Sequence, residues 1–119
     1  MTDEAAALFA RSEPVAAWIF RCLLGALAPY GPIRVEAKAT CLHLCGRKSA
    51  FAGVHPRRDG VLLTLRTTAP IDSPRVRRSE RASANRTHND ILLNDPSQVD
   101  DELAAWLSEG LKLSGGPVA

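Results

Sequence analysis

The strongest constraint on the fold is a change of hydrophobic period about a quarter of the way along the chain. From Val15 to Leu27 the apolar residues Val15, Trp18, Ile19, Cys22, Leu23, Ala26 and Leu27 recur at the i, i+3, i+4, i+7 spacing of one buried helical face. Ser12 offers a capping hydroxyl, and Pro14 stands in the first turn, where it forfeits no intrahelical bond. Pro29, Tyr30, Gly31 and Pro32 stop the helix, which is predicted over 13–28. From Ile33 the period falls to two: Ile33, Val35, Ala37 and Ala39 alternate with Arg34, Glu36 and Lys38, as in a strand with one wet face.

The alternation continues in further short runs. Strands are predicted over about 33–39, 40–45, 50–57, 61–67, 75–82 and 87–93. Asp59-Gly60 predicts a type I′ hairpin turn, whose two central residues both need positive φ. That turn pairs Arg58 with Val61, Pro56 with Leu63, His55 with Thr64 and Val54 with Leu65. Val54, Pro56, Val61, Leu63 and Leu65 then share the core side, and Phe51, His55, Leu62 and Arg66 the other. Pro56 cannot donate to a ladder, which marks its strand as an edge or as broken there. Arg75, Arg77, Ser79 and Arg81 fall on one side of their strand. A short helix is predicted over 3–10 and a last one over 98–109, with Val99, Leu103, Trp106 and Leu107 as its apolar face and Gly110 closing it. Residues 114–119 read as a frayed tail.

At 119 residues, 45% apolar and 24% charged, the chain has the length and composition of one ordinary folded domain, not of a disordered or disulfide-stapled one. The element order predicts a single α+β domain over 1–113. Its antiparallel sheet of about five or six strands is packed on one face by the N-terminal and C-terminal helices. Cys22, Cys41 and Cys45 are an odd number with no cleavable leader pattern before them, which points to a reducing cytoplasm. The longest apolar stretch, Val15 to Ala28, is broken by Arg21 and falls short of the ~20 residues a membrane helix needs, so no membrane span is expected.

A group of residues resembles a known family. Phe51-Ala52 leads into His55-Pro56-Arg57-Arg58-Asp59, Ser73-Pro74-Arg75-Val76 forms a connector, Thr87-His88 opens the last strand, and Asp100-Asp101-Glu102-Leu103 precedes Trp106-Leu107. Together, over roughly Ser12 to Leu111, they are similar to a bacterial family of domains of unknown function. Its members are small stand-alone domains or the C-terminal part of chains labelled predicted transport proteins. The resemblance implies an α+β fold and a cytoplasmic bacterial protein, and it carries no activity to transfer.

Several constellations invite chemistry and meet local objections. Cys41, His43 and Cys45 put soft ligands on one strand face, but same-face neighbours stand ~6.8 Å apart and point in parallel, whereas zinc needs ligands converging at ~2.1–2.3 Å. Glu36 and Lys38 imitate the end of a metal-dependent nuclease signature, yet the upstream acids Asp3, Glu4 and Glu13 fall in helix starts. No G-x-S-x-G elbow, H-E-x-x-H pair, phosphate loop or dinucleotide fingerprint is present. No catalytic residue, metal ligand or cofactor is therefore assigned.

Charge segregation is the one feature that points to a partner. Between Arg47 and Arg86 ten basic residues face three acids, a local net of +7, while the rest of the chain has five against ten, a net of −5. Nine of those ten cations are Arg, whose planar fork suits phosphate and carboxylate. The residues expected to form an anion-binding sheet face are His55, Arg57, Arg58, Arg75, Arg77, Arg81, Arg86 and His88. The expected function is a non-enzymatic binding module whose partner is nucleic acid or a phosphorylated small molecule. Six aromatic residues are too few for a base-stacking platform, since Trp18 and Trp106 lie on helix faces and Phe51 alone is left to the sheet. The alternatives are a protein-interaction module or homodimer formed by strand pairing, and a small hydrolase or transferase using His55 and His88.

Overall fold

Pro14–Leu27 forms the first helix, α1, in a computed structural model that describes Phe9 and residues 14–119. The short helix expected at 3–10 and the Ser12 cap lie outside the described residues, Phe9 apart. The buried stripe of α1 is Ala16, Ile19, Phe20, Leu23 and Leu27. Trp18, expected on the buried face, is instead 62% exposed. The segment is apolar nearly all round, so two overlapping stripes compete. Phe20, its ring centroid 5.3 Å from that of Phe9, fixes the inner one.

After a 3₁₀ turn at Ala28–Tyr30 the chain enters the sheet: β1 (Arg34–Ala37), β2 (Leu42–Cys45), β3 (Ala50–Arg57), β4 (Gly60–Thr67), β5 (Val76–Ser83) and β6 (Arg86–Leu93). The six strands are antiparallel throughout and lie in the order β1-β2-β3-β4-β6-β5. β6 inserts beside β4 and leaves β5 at the edge. A second 3₁₀ turn at Pro96–Gln98 leads to the last helix, α2 (Asp101–Leu113). Both helices pack on one face of the sheet, over Leu42, Leu44, Val54, Leu63, Leu65, Ile91 and Leu93. The fold is α+β with one covered and one open sheet face, as the sequence predicts. No helix among the described residues is long and apolar enough to cross a membrane.

The β3–β4 turn differs from its prediction. Arg57 pairs with Gly60, Pro56 with Val61, His55 with Leu62, Val54 with Leu63 and Gly53 with Thr64. The tip is therefore Arg58-Asp59, and no residue there has positive φ. Gly60 serves close passage instead, because a Cβ on it would collide with the carbonyl of Leu93. The slip preserves parity, so the face assignment of both strands survives it.

Phe51 does change face. A bulge sets Cys45 opposite Ala50 and Leu44 opposite Ala52, and the extra residue, Phe51, turns into the core against Gly110. Gly110 does not end α2: a Cβ there would lie 3.0 Å from the Arg66 carbonyl oxygen, so the glycine marks close helix–strand packing and the helix runs on to Leu113. At its other end α2 starts at the Asp100 cap, whose carboxylate accepts from the Leu103 amide at 3.0 Å. The predicted start at 98 was instead drawn out by Asp95, which caps the preceding 3₁₀ turn. The segment after Leu113 is tied by its backbone rather than frayed. Lys48 N–H donates to Ser114 O, Arg47 N–H to Gly116 O and Val118 N–H to Pro32 O, each at 2.9 Å.

Candidate oxyanion site on the open sheet face

Register alone assembles the open face. One cross-strand row runs Glu36, His43, Gly53, Thr64, Asp90 and Arg78, and the next runs Arg34, Cys45, Ala50, then Arg66, His88 and Glu80. Small residues at the centre, Ala50 and Gly53, leave a shallow concavity of about 150 Å³. His43, His55 and Thr64 line one end of it, and Arg66, Arg86 and His88 the other. Gly53 is what lets the His55 ring lie flat on the sheet, because a Cβ there would stand 3.1 Å from His55 Nε2.

The cationic end is held by hydroxyls, a ring nitrogen and a backbone carbonyl. Arg66 Nη1 donates to Ser49 Oγ at 3.0 Å and Ser114 Oγ at 3.3 Å. Arg86 Nε donates to His88 Nε2 at 3.2 Å, and its Nη2 to the Ala50 carbonyl at 3.4 Å. Arg34, Arg75 and Arg78 each have a carboxylate partner, but among the described residues neither Arg66 nor Arg86 does. Burial and the neighbouring Arg86 charge push the Arg66 guanidinium below its ordinary value, and it stays cationic. Its Nε is a buried donor without a hydrogen-bond partner. At the opposite end Thr64 Oγ1 donates to Asp90 Oδ1 at 2.8 Å. Burial, and then the Arg57 charge, push His55 below the usual imidazole value, so its ring is neutral near pH 7.

Of the residues expected to form one basic face, the structure gathers His55, Arg86 and His88 in this concavity. Arg57 lies on the same face at the end of β3, and Arg58 is in the hairpin tip. Arg77 is in a β5 bulge, and Arg81 stands opposite the core-facing Thr87. Arg75 is on the helix side altogether. It donates to Asp100 at 2.9 Å, to Glu102 at 3.1 Å and to the Gln98 carbonyl at 2.6 Å, and its guanidinium lies 5.6 Å from the Trp106 ring centre. The acids of the α2 start claim it. Sequence reasoning placed Arg66 beside His55 but did not single it out, nor His43 in this role; the alternation of their strands was the signal.

Residues 5–114 match the family described as domain of unknown function (DUF5655). The chain belongs to that family. No curated protein and no solved structure matches it. In this DUF5655 domain the motif residues Phe51, His55, Arg75, Trp106 and Leu107 divide among three tasks. Phe51 and Leu107 build the core, Arg75 and Trp106 lock the start of α2 to the sheet, and His55 faces the open side. Cys41 and Cys45 are buried, and His43 turns to the concavity. Among the described residues no three His, Cys, Asp or Glu side chains are grouped to hold a metal ion. Glu36 pairs with Arg34 at 3.1 Å and Lys38 at 3.6 Å on the surface, and the Arg34 hydrogen bond holds its carboxyl below the usual range.

Proposed function

We propose that this domain binds a phosphate-type oxyanion on its open sheet face, held by Arg66 and Arg86. The observation that carries the reading is the pair of neighbouring guanidiniums, half-buried and with no carboxylate partner among the described residues. Like charges brought together out of bulk water repel, and a bound dianion relieves that repulsion while giving the fixed donor forks bidentate partners. The partnerless Arg66 Nε is a further donor short of an acceptor. Arg58, Arg75, Arg77 and Arg81 do not line one track with this pair, which favours a localised anion over a nucleic-acid backbone. A concavity of about 150 Å³ also lies below the ~300 Å³ at which drug-sized ligands begin to be enclosed. It suits the phosphate end of a small molecule.

Calorimetric titration of inorganic phosphate at low salt tests this. Saturable binding is expected, weakened at least tenfold by Arg66→Gln or Arg86→Gln and unaltered by Arg77→Gln. Equal binding by all four proteins refutes the site.

A further inference from the structure

The proposed oxyanion occupies one end of the concavity and leaves the other unexplained. The hydrogen bonds of the site run Thr64 to Asp90, Arg66 to Ser49 and Ser114, and Arg86 to His88 and Ala50, and they leave the rings of His43 and His55 without a protein partner among the described residues. His55 Nε2 lies over Gly53, midway in the row that joins His43 to Thr64 and Asp90. We infer that the ligand is a phosphate monoester bearing a hydroxyl two or three carbons from the phosphorus, with the phosphate on Arg66 and Arg86 and the hydroxyl on His55. This rests on the oxyanion reading above.

Distance, charge and hydrogen-bond type each support it. Thr64 and Arg66 are same-face neighbours on β4, about 6.8 Å apart along the strand, a spacing of the same order as that between a phosphate and a hydroxyl on a short carbon chain. A second anionic group is disfavoured at the His55 end by the Asp90 carboxylate, and a cationic one by the Arg57 guanidinium, since both charges are felt at the ring. A neutral group remains. An imidazole held neutral by burial, Arg57 and His43, against the opposing pull of Asp90, offers one N–H and one lone pair, which a hydroxyl answers as both acceptor and donor. The volume of about 150 Å³ suits a three-carbon phosphate ester.

Calorimetry with inorganic phosphate, glycerol 3-phosphate, propyl phosphate and ethanolamine phosphate tests the assignment. Glycerol 3-phosphate is expected to bind the native protein five- to tenfold more tightly than propyl phosphate or ethanolamine phosphate. His55→Phe keeps a ring and removes both nitrogens, and the preference is expected to fall to within twofold while inorganic phosphate binds as before. Gly53→Ala, which crowds the His55 ring, is expected to reduce the preference in the same direction and serves if His55→Phe does not fold. Equal binding of glycerol 3-phosphate and propyl phosphate, a preference for the ammonium ester, or a preference that survives these substitutions overturns the hydroxyl assignment and leaves the oxyanion site standing. If none of the four probes binds, the oxyanion site falls and this inference with it.

Discussion

Replacing Asn89 with alanine removes the polar clasp that sets β6 in place. The side chain is fully buried on the helix side and makes four hydrogen bonds: Nδ2 donates to Leu65 O at 3.1 Å and Thr67 Oγ1 at 2.8 Å, and Oδ1 accepts from Ile71 N–H at 3.0 Å and Ser79 Oγ at 2.8 Å. It thus joins β4, β5, β6 and the connector between β4 and β5. Each such bond contributes about 1 kcal/mol net, and a buried partner left alone costs more. Ser79 is exposed and regains water, and Thr67 Oγ1 still reaches the Ala69 carbonyl, so the total is about 3 kcal/mol rather than 4. For a domain of this length that is a fall in Tm of about 12 °C. Urea and thermal unfolding of Asn89→Ala, with Ser79→Ala as the control, measure it. Asn89→Asp buries a charge and is expected to recover stability as the pH is lowered and the carboxyl takes up a proton. A loss under about 1 kcal/mol for Asn89→Ala would refute the claim that this clasp fixes the strand order.

Arg75→Ala removes a carbonyl hydrogen bond, two ion pairs and the contact with Trp106, and is expected to cost about 1–2 kcal/mol in thermal unfolding while phosphate binding is unchanged. The Asp100 carboxyl is held below its ordinary value by the Leu103 amide and then by Arg75, so its contribution is complete above the unfolded value of about 3.9 and is lost as the pH falls through the lower folded value. Asp100→Asn is expected to flatten the acid limb of the stability profile, seen in urea unfolding between pH 5 and 2. His55 is also depressed in the folded protein, by burial first, so it withdraws stability as the pH falls below its unfolded value of about 6.5. His55→Gln is expected to reduce the loss of stability between pH 7.5 and 5.

How much of this was legible depends on the range of the interaction. The six strands and both described helices follow from local period, and the face of His55, Leu62 and Arg66 survives a shifted turn because parity is conserved. Phe51 was misplaced because a bulge is set by the competition of a large ring for the core beneath Gly110, which no dipeptide announces. Trp18 was misplaced because α1 is apolar on nearly every side, and tertiary packing with Phe9 chose the stripe. The position of β6 between β4 and β5 is a non-local pairing, fastened by Asn89, a residue that alternation alone reads as an unremarkable polar position. The basic segment was visible as charge, but its division was not. Arg75 is captured by acids some 25 residues away, while Arg66 and Arg86 meet only when β4 and β6 lie side by side.

The most direct test of the central claim is the Arg Nε–Hε region of the ¹H–¹⁵N spectrum during titration with inorganic phosphate. The Arg66 and Arg86 signals, assigned by the Arg66→Gln and Arg86→Gln variants, are expected to shift together with one dissociation constant, while those of Arg75 and Arg77 stay in place. Saturable shifts confined to other arginines, or no saturable shift at all, would contradict the account.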